Sequence, residues 1–318
     1  MARTEFLLAT DLLPFLAHLA GTGSGTLSPW RRWEAATEVD EAAWEKLKAA
    51  QLCEEKGRLK RKVAVTIEKL KRPSRMVRLR LMTGPSMMEH LIYFCGPQAE
   101  AVSFTSNGDN LLVRDPAPLE QIIHGFYEYW GYSSLVSSGL NVRLEPKAAL
   151  VFAAMVDLHR RQSLTDRVAM RPAVHQYYSP AQVLDAIEAT PRDGQWLVAT
   201  IKAFTGLEGF PTEDLVKENL DKLIKLQVAV QKDKGYGLEG DGMSFANNFL
   251  LSAQVLRLEV CTHDQEGKIA RSAMLCLQAG LHDNLYLDRE GEMVLLETVS
   301  SKHVVDMIET FLAEGSGC

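Results

Sequence analysis

The chain is poor in the residues and motifs by which most site chemistry is recognised. It has five cysteines, Cys53, Cys95, Cys261, Cys276 and Cys318, an odd number with no CxxC pair. That excludes a disulfide framework and fits a reduced, cytoplasmic compartment. Eight histidines are present, but none sits in HExxH or pairs at a metal-binding spacing, so no metal is expected. There is no GxSxG elbow, no Walker A loop and no kinase signature. The Gly-Thr-Gly-Ser-Gly run from Gly21 to Gly25 lacks the Lys-Ser/Thr of a phosphate loop. No carboxylates form a pair whose environment the sequence defines, so no catalytic residue is assigned. No stretch approaches the roughly 20 apolar residues that cross a bilayer, and no membrane association is expected.

What is present is an ordinary globular composition. Of 318 residues, 46% are hydrophobic and 24% charged, enough for two domains each with its own core. Near the start, Phe6, Leu7, Leu13, Phe15, Leu16 and Leu19 recur at helical spacing, while Glu5, Asp11, Pro14 and His18 interrupt the apolar run. This reads as an amphipathic core helix rather than a secretory signal. Trp30, Trp33 and Trp44 are also expected in the core. Net charge is −6, but residues 56–80 hold eleven Lys and Arg, from Lys56 to Arg80, against Glu68 alone. The segment is therefore +10 and the remainder −16.

The chain resembles itself. Trp44 to Leu52 matches Leu220 to Val228, an amphipathic helix running into a glycine-bearing turn. Val77 to Leu81 matches Leu256 to Val260, with the strict alternation of a half-buried strand. Strands at Ala101 to Phe104 and Asn284 to Leu287 turn at Gly108 and Gly291 and return at Leu111 to Val113 and Val294 to Leu296. Closing helices follow at Leu119 to Trp130 and Lys302 to Leu312, started by Pro118 and Ser301. Thr10 to Leu19 is a counterpart of Pro146 to Leu158. The expected fold is α+β with an internal duplication: a first repeat over 1–132, a Ser-rich linker over 133–142 and a second repeat over 143–318. Each half has helices, then a three- or four-stranded antiparallel meander, then one closing helix.

In the second half, Ser179 starts a helix through Ile187, Trp196 to Phe204 forms another, and Gly209-Phe210-Pro211 turns. Thr212 then caps a third helix reaching about Gln231. Three such helices suit a helix-turn-helix, so each helical part reads as winged-helix-like. Gly235 to Gly240 matches GxGxxG, but a long helix precedes it, so a wing or hairpin turn is expected rather than a dinucleotide site. Cys261-Thr262-His263-Asp264 likewise reads as a strand end and turn. His159 reads as the cationic end of an apolar helix.

Two units carry a resemblance. One is the helix ending at Gln51-Leu52 with Gly57, followed by Lys62 to Leu70, Pro73 and the strand Val77 to Leu81. The other is strand, Gly108 or Gly291, strand, then helix 119–130 or 302–312. In these the chain resembles the EspG-type chaperones of mycobacterial type VII (ESX) secretion, over about half its length. The helices ahead of each meander fall outside the match. The resemblance implies a cytosolic, pseudo-symmetric α/β protein that binds secreted proteins and catalyses nothing. No cofactor is expected, and the reading is a protein-binding adaptor or chaperone-like factor. The alternative is a winged-helix nucleic-acid binder using the basic segment 56–80 of the first half, with Arg58, Lys60, Arg61 and Lys62 on phosphates. Its bland counterpart is a solvated charged face.

Overall fold

The computed structural model describes residues 4–313 except 22, 32, 34–37, 56, 85, 97–99, 173, 191–194, 208–211, 234, 251, 265 and 281. Lys56, the Gly209-Phe210-Pro211 turn and Cys318 lie outside the described residues. The fold is α+β, with antiparallel strand pairing throughout the assigned ladders. Two compact units form. The first takes Met1–Trp130, Leu256–Ala273 and Val305–Cys318; the second takes Gly131–Val255 and Met274–Val304. The units are discontinuous in sequence, whereas the segments 1–132 and 143–318 are contiguous.

The first unit opens with strand β1 (Thr4–Ala9) and helix α1 (Leu13–Ala20). The expectation of a helix from Phe6 is corrected here. Glu5 and Leu7 are exposed while Phe6 and Leu8 turn inward, so period two governs this stretch. The helix waits for Pro14, which sits in its first turn where its missing N–H costs nothing. Helix α2 (Glu41–Ala49) starts on Asp40, whose carboxylate accepts from Ala43 N at 2.7 Å. It stops where Gln51 adopts a φ of 58°, and Leu52 N reaches back to Leu47 O at 2.9 Å. A hairpin of β2 (Cys53–Glu55) and β3 (Arg58–Leu59) leads into α3 (Arg61–Lys69).

Four strands follow: β4 (Pro73–Thr83), β5 (Ser86–Cys95), β6 (Glu100–Asn107) and β7 (Asn110–Asp115). Helix α4 (Leu119–Trp130) closes the run. The meander has four strands, and β1 adds to it antiparallel from Thr4↔Asp115 to Ala9↔Asn110, giving the order β1-β7-β6-β5-β4. Helices α1, α2 and α3 bury their apolar faces with inward residues of these strands in one core that includes Leu16, Leu47, Ile67, Tyr93 and Phe104. Trp30 and Trp44 belong to it, and Trp30 Nε1 donates to Ile67 O at 3.2 Å. Trp33 does not: it is 37% exposed, so helical spacing misplaced one tryptophan of three.

The second unit opens with strand β8 (Asn141–Leu144) and helix α5 (Pro146–Val168). Every residue from 148 to 156 of α5 is buried, because α5 is enclosed by α6 (Pro180–Ala189), α7 (Leu197–Thr205), α8 (Glu213–Lys225) and its own sheet. Ser179 and Gln182 form a reciprocal capping box on α6, and Thr212 caps α8. Helix α8 ends well before Gln231. Gln227 takes a φ of 59° and Val228 N bonds to Leu223 O at 3.2 Å, which frees the next residues to form β9 (Ala229–Lys232).

Strand β10 (Gly235–Leu238) pairs with β9, and helix α9 (Gly240–Asn248) follows. Then come β11 (Ser252–His263), β12 (Ile269–Ala279), β13 (Asp283–Glu290), β14 (Met293–Val299) and α10 (Ser301–Ala313). Residues of β11, β12 and α10 are shared between the two units. Within the second unit the strand order is β12-β13-β14-β8, with β8 antiparallel to β14 from Asn141↔Glu297 to Leu144↔Val294. The stretch expected as a Ser-rich linker is tied to this unit. Asp283 accepts from Ser137 N, and from Ser138 Oγ at 2.9 Å.

Candidate protein-binding surface

The expected nucleic-acid residues come first. Arg58 lies in β3, not in a loop, and faces Glu54 and Glu55 at 3.6 and 3.8 Å. Lys60 is the residue before α3, and Arg61 and Lys62 occupy its exposed first turn. Among the described residues these three make no ion pair. Cations are disfavoured at a helix N-terminus, so their solvation, not a fixed partner, accommodates them.

Five further cations of the basic segment are engaged within the chain. Lys69 bridges Glu100 at 2.6 Å and Asp115 at 3.0 Å. Lys71 meets Glu68 at 2.5 Å. Arg75 is buried, donates to Phe311 O and lies 5.2 Å from the Phe94 ring centroid. Arg78 and Arg80 grip Glu89 at 2.6 and 2.5 Å. The expectation of a solvated face for Arg78 and Arg80 is therefore corrected. Both are half-buried, because a carboxylate on the neighbouring strand β5 meets them. Burial works to raise the Glu89 carboxyl, but the two guanidinium hydrogen bonds outweigh it and hold it below the usual range. Buried Glu259 forms an ion pair with Arg271.

The buried polar groups of the second unit serve the fold. Asp157, on α5, accepts from Leu197 N at 3.1 Å and Val198 N at 2.9 Å. It caps α7 from another helix, in place of Trp196, whose side chain makes no cap. Burial pushes its carboxyl up to about 6, against the pull of those two N–H groups. Arg160 is wedged between Trp196 and Phe249, 5.0 and 5.7 Å from their ring centroids, and donates to Leu250 O at 2.7 Å. His159 meets Asn247 at 2.9 Å and is held below its ordinary value by burial. Among the described residues its ring meets Asn247 and Ser163, not a carboxylate.

The GxGxxG stretch does not form a turn; Gly235 and Gly237 lie in β10. The reason is close approach by the segment ahead of α6. A Cβ on Gly235 would stand 2.7 Å from Tyr177 Cβ, and one on Gly237 2.8 Å from His175 Nε2. The space a pyrophosphate would need is filled by protein. Cys261 to His263 end β11 as expected, and Asp264 turns the chain by accepting from Lys268 N at 2.8 Å. Cys53, Cys95, Cys261 and Cys276 are free thiols, all buried. Burial raises Cys95 to about 12 and Cys276 also upward, so neither is a ready thiolate. Among the described residues no three His, Cys, Asp or Glu side chains gather at one point.

Two surface depressions lie on the second unit. One of about 260 Å³ lies between β8 and the end of α8, lined by Leu140, Val142, Leu226 and Val228 among others. Arg143, Lys222 and Lys225 border a second, where Leu144, Ala148, Leu226 and Met293 supply the apolar lining. Elsewhere large apolar side chains stand in solvent: Tyr132, Leu135 and Val136 ahead of β8, and Val168, Met170 and Val174 after α5. The sequence reading missed both groups, because local hydrophobic pattern does not separate an exposed valine from a buried one. No helix among the described residues is long and apolar enough to cross a membrane.

No protein-family description and no curated protein matches this sequence. A solved structure does match in fold. It is the Mycobacterium tuberculosis type VII secretion system chaperone EspG5, in complex with the PE25–PPE41 dimer. The two share 9% identity with a TM-score of 0.52, over 98% of this chain and 96% of the other. The likeness expected from the closing units thus extends to nearly the whole chain, the helices ahead of each meander included.

Proposed function

We propose that this protein is a non-catalytic, chaperone-like factor that binds another protein in the cytoplasm. The observation that carries the reading is the shared fold with a secretion chaperone over almost its entire length. The neighbour was solved with a protein dimer bound, which makes a protein the partner class for this fold. Two further features support it. Charged side chains in the interior cap helices and pair strands, rather than converging on a reacting centre. Apolar side chains, by contrast, are left in solvent in two stretches of the second unit.

We read the chain as an internal duplication of segments 1–132 and 143–318, joined through 133–142. Supporting this, the order β1-α1, then helix, hairpin, helix, four strands and helix, recurs as β8-α5, then α8, β9-β10, α9, β11 to β14 and α10, with α6 and α7 inserted between α5 and α8. β1 pairs with β7, as β8 pairs with β14. Gln51 and Gln227 end the matching helices with the same positive φ.

The test is isolation of the intact protein from its native cytosol, with and without nuclease. A protein partner held in stoichiometric amount after nuclease is expected. Recovery of nucleic acid alone would move the function to the basic segment. Replacing Arg58, Lys60, Arg61 and Lys62 together by Ala is expected to leave the protein partner bound.

A further inference from the structure

The end of helix α5 carries a surface feature that packing does not explain. Val168 is 87% exposed, Met170 94% and Val174 61%. Burying such side chains stabilises a fold, and here little of that is collected within the chain. Met170 also has a φ of 52°, a conformation that non-glycine residues rarely adopt. The turn is nevertheless closed. Arg171 N donates to Asp166 O at 2.8 Å and Met170 N to Arg167 O at 3.1 Å. Asp166 is itself buried and accepts from Gln162 Nε2 at 2.9 Å. This is a helix-ending turn in which glycine would carry the least strain. At the corresponding turns after α2 and α8 the chain places polar, exposed Gln51 and Gln227. After α5 it places a long, soft, apolar side chain on a fixed backbone and aims it at solvent.

The flanks define what would meet it. Arg167 and Arg171 are exposed, and among the described residues neither forms an ion pair. A complementary surface therefore offers an apolar hollow with carboxylates at its edge. A lipid surface fits less well: residues 167–175 contain no Trp, Tyr, Phe or Lys, and the chain as a whole is −6. We propose that Arg167, Val168, Met170, Arg171 and Val174 form a docking tip, with Met170 entering an apolar, carboxylate-rimmed pocket on the protein partner. Methionine suits this task because its flexible thioether adapts to irregular pockets. The proposal rests on the protein-binding reading above.

Met170→Gly separates docking from folding, because glycine takes the same φ without strain. The full-length variant is expected to unfold about 2 °C higher than the parent. The probe is the protein that co-purifies with the intact parent chain, identified by mass spectrometry and prepared separately. Calorimetry is expected to show its binding to Met170→Gly weakened at least about tenfold, with Met170→Leu near parental. Combined Arg167→Glu and Arg171→Glu are expected to weaken it by at least a similar factor. Parental affinity in Met170→Gly overturns the docking tip while the protein-binding reading stands. If the parent chain itself carries no protein, both fail. Two other outcomes also overturn the tip: self-association lost in Met170→Gly, or binding to phosphatidylglycerol vesicles in place of the partner.

Discussion

Single residues carry much of this fold, and two of them make it sensitive to pH. His90 lies on β5, hydrogen bonded to Thr105 at 2.9 Å and edge-on to Phe126, and burial pushes it down to about 4. Its neutral form is the one the fold accepts. The stability it contributes is present above about pH 6.5 and is lost as pH falls through 4. Asp157 has the opposite sign. Its folded value near 6 lies above the ordinary carboxylate value, so its contribution is full below about pH 4 and is lost as pH rises through 6. The two slopes oppose each other between these limits. Urea unfolding of His90→Gln at pH 4 to 7 is expected to show the difference. Relative to the parent, the variant gains on the order of 2 kcal/mol on going from pH 7 to pH 4. Asp157→Ala removes the carboxylate that meets the Leu197 and Val198 N–H groups at the start of α7. It is expected to cost about 2 kcal/mol at pH 7, read by the same method.

At the scale of elements, helix ends decide the architecture. Helices α2 and α8 both stop at a glutamine with positive φ, and a two-stranded hairpin follows each time. Gln51→Gly and Gln227→Gly are each expected to stabilise the protein, by up to about 1 kcal/mol, measured as a rise in unfolding midpoint. The glycines around β10 work in the other direction. A Cβ on Gly242 would stand 2.6 Å from Val228 O, a backbone atom that cannot swing aside. Gly242→Ala is therefore expected to destabilise by about 1–3 kcal/mol, a drop that a thermal melt will show.

These ends also mark where the sequence could and could not be read. The strands around Gly108 and Gly291 and the helix from Leu119 to Trp130 were legible, because alternation and helix-start signals agree there. The end of α8 was not legible, since nothing in the composition of Gln227 signals a left-handed residue. The β1 strand was hidden for a different reason. Phe6, Leu7 and Leu8 satisfy period two and period 3.6 equally over so short a run, and only the pairing with β7 decides between them.

At the scale of the whole molecule, the charge asymmetry of the sequence changes its meaning. The +10 segment looked like an external footprint. Three of its cations instead meet carboxylates brought from elsewhere in the first unit: Arg78 and Arg80 on Glu89 of β5, and Lys69 on Glu100 of β6 and Asp115 at the end of β7. A linear count cannot see such pairing, because its partners lie on other strands, 9 to 46 residues away. The apolar side chains that do face solvent belong to stretches the sequence made unremarkable, and the proposed partner surface was the least legible part of the protein. The expectation that a protein partner occupies that surface is the central claim. Native mass spectrometry of the intact protein isolated from its own cytosol after nuclease treatment tests it most directly. The account predicts a mass equal to this chain plus at least one different polypeptide in whole-number ratio. A mass of this chain alone, with nucleic acid recovered only in the untreated sample, would contradict it.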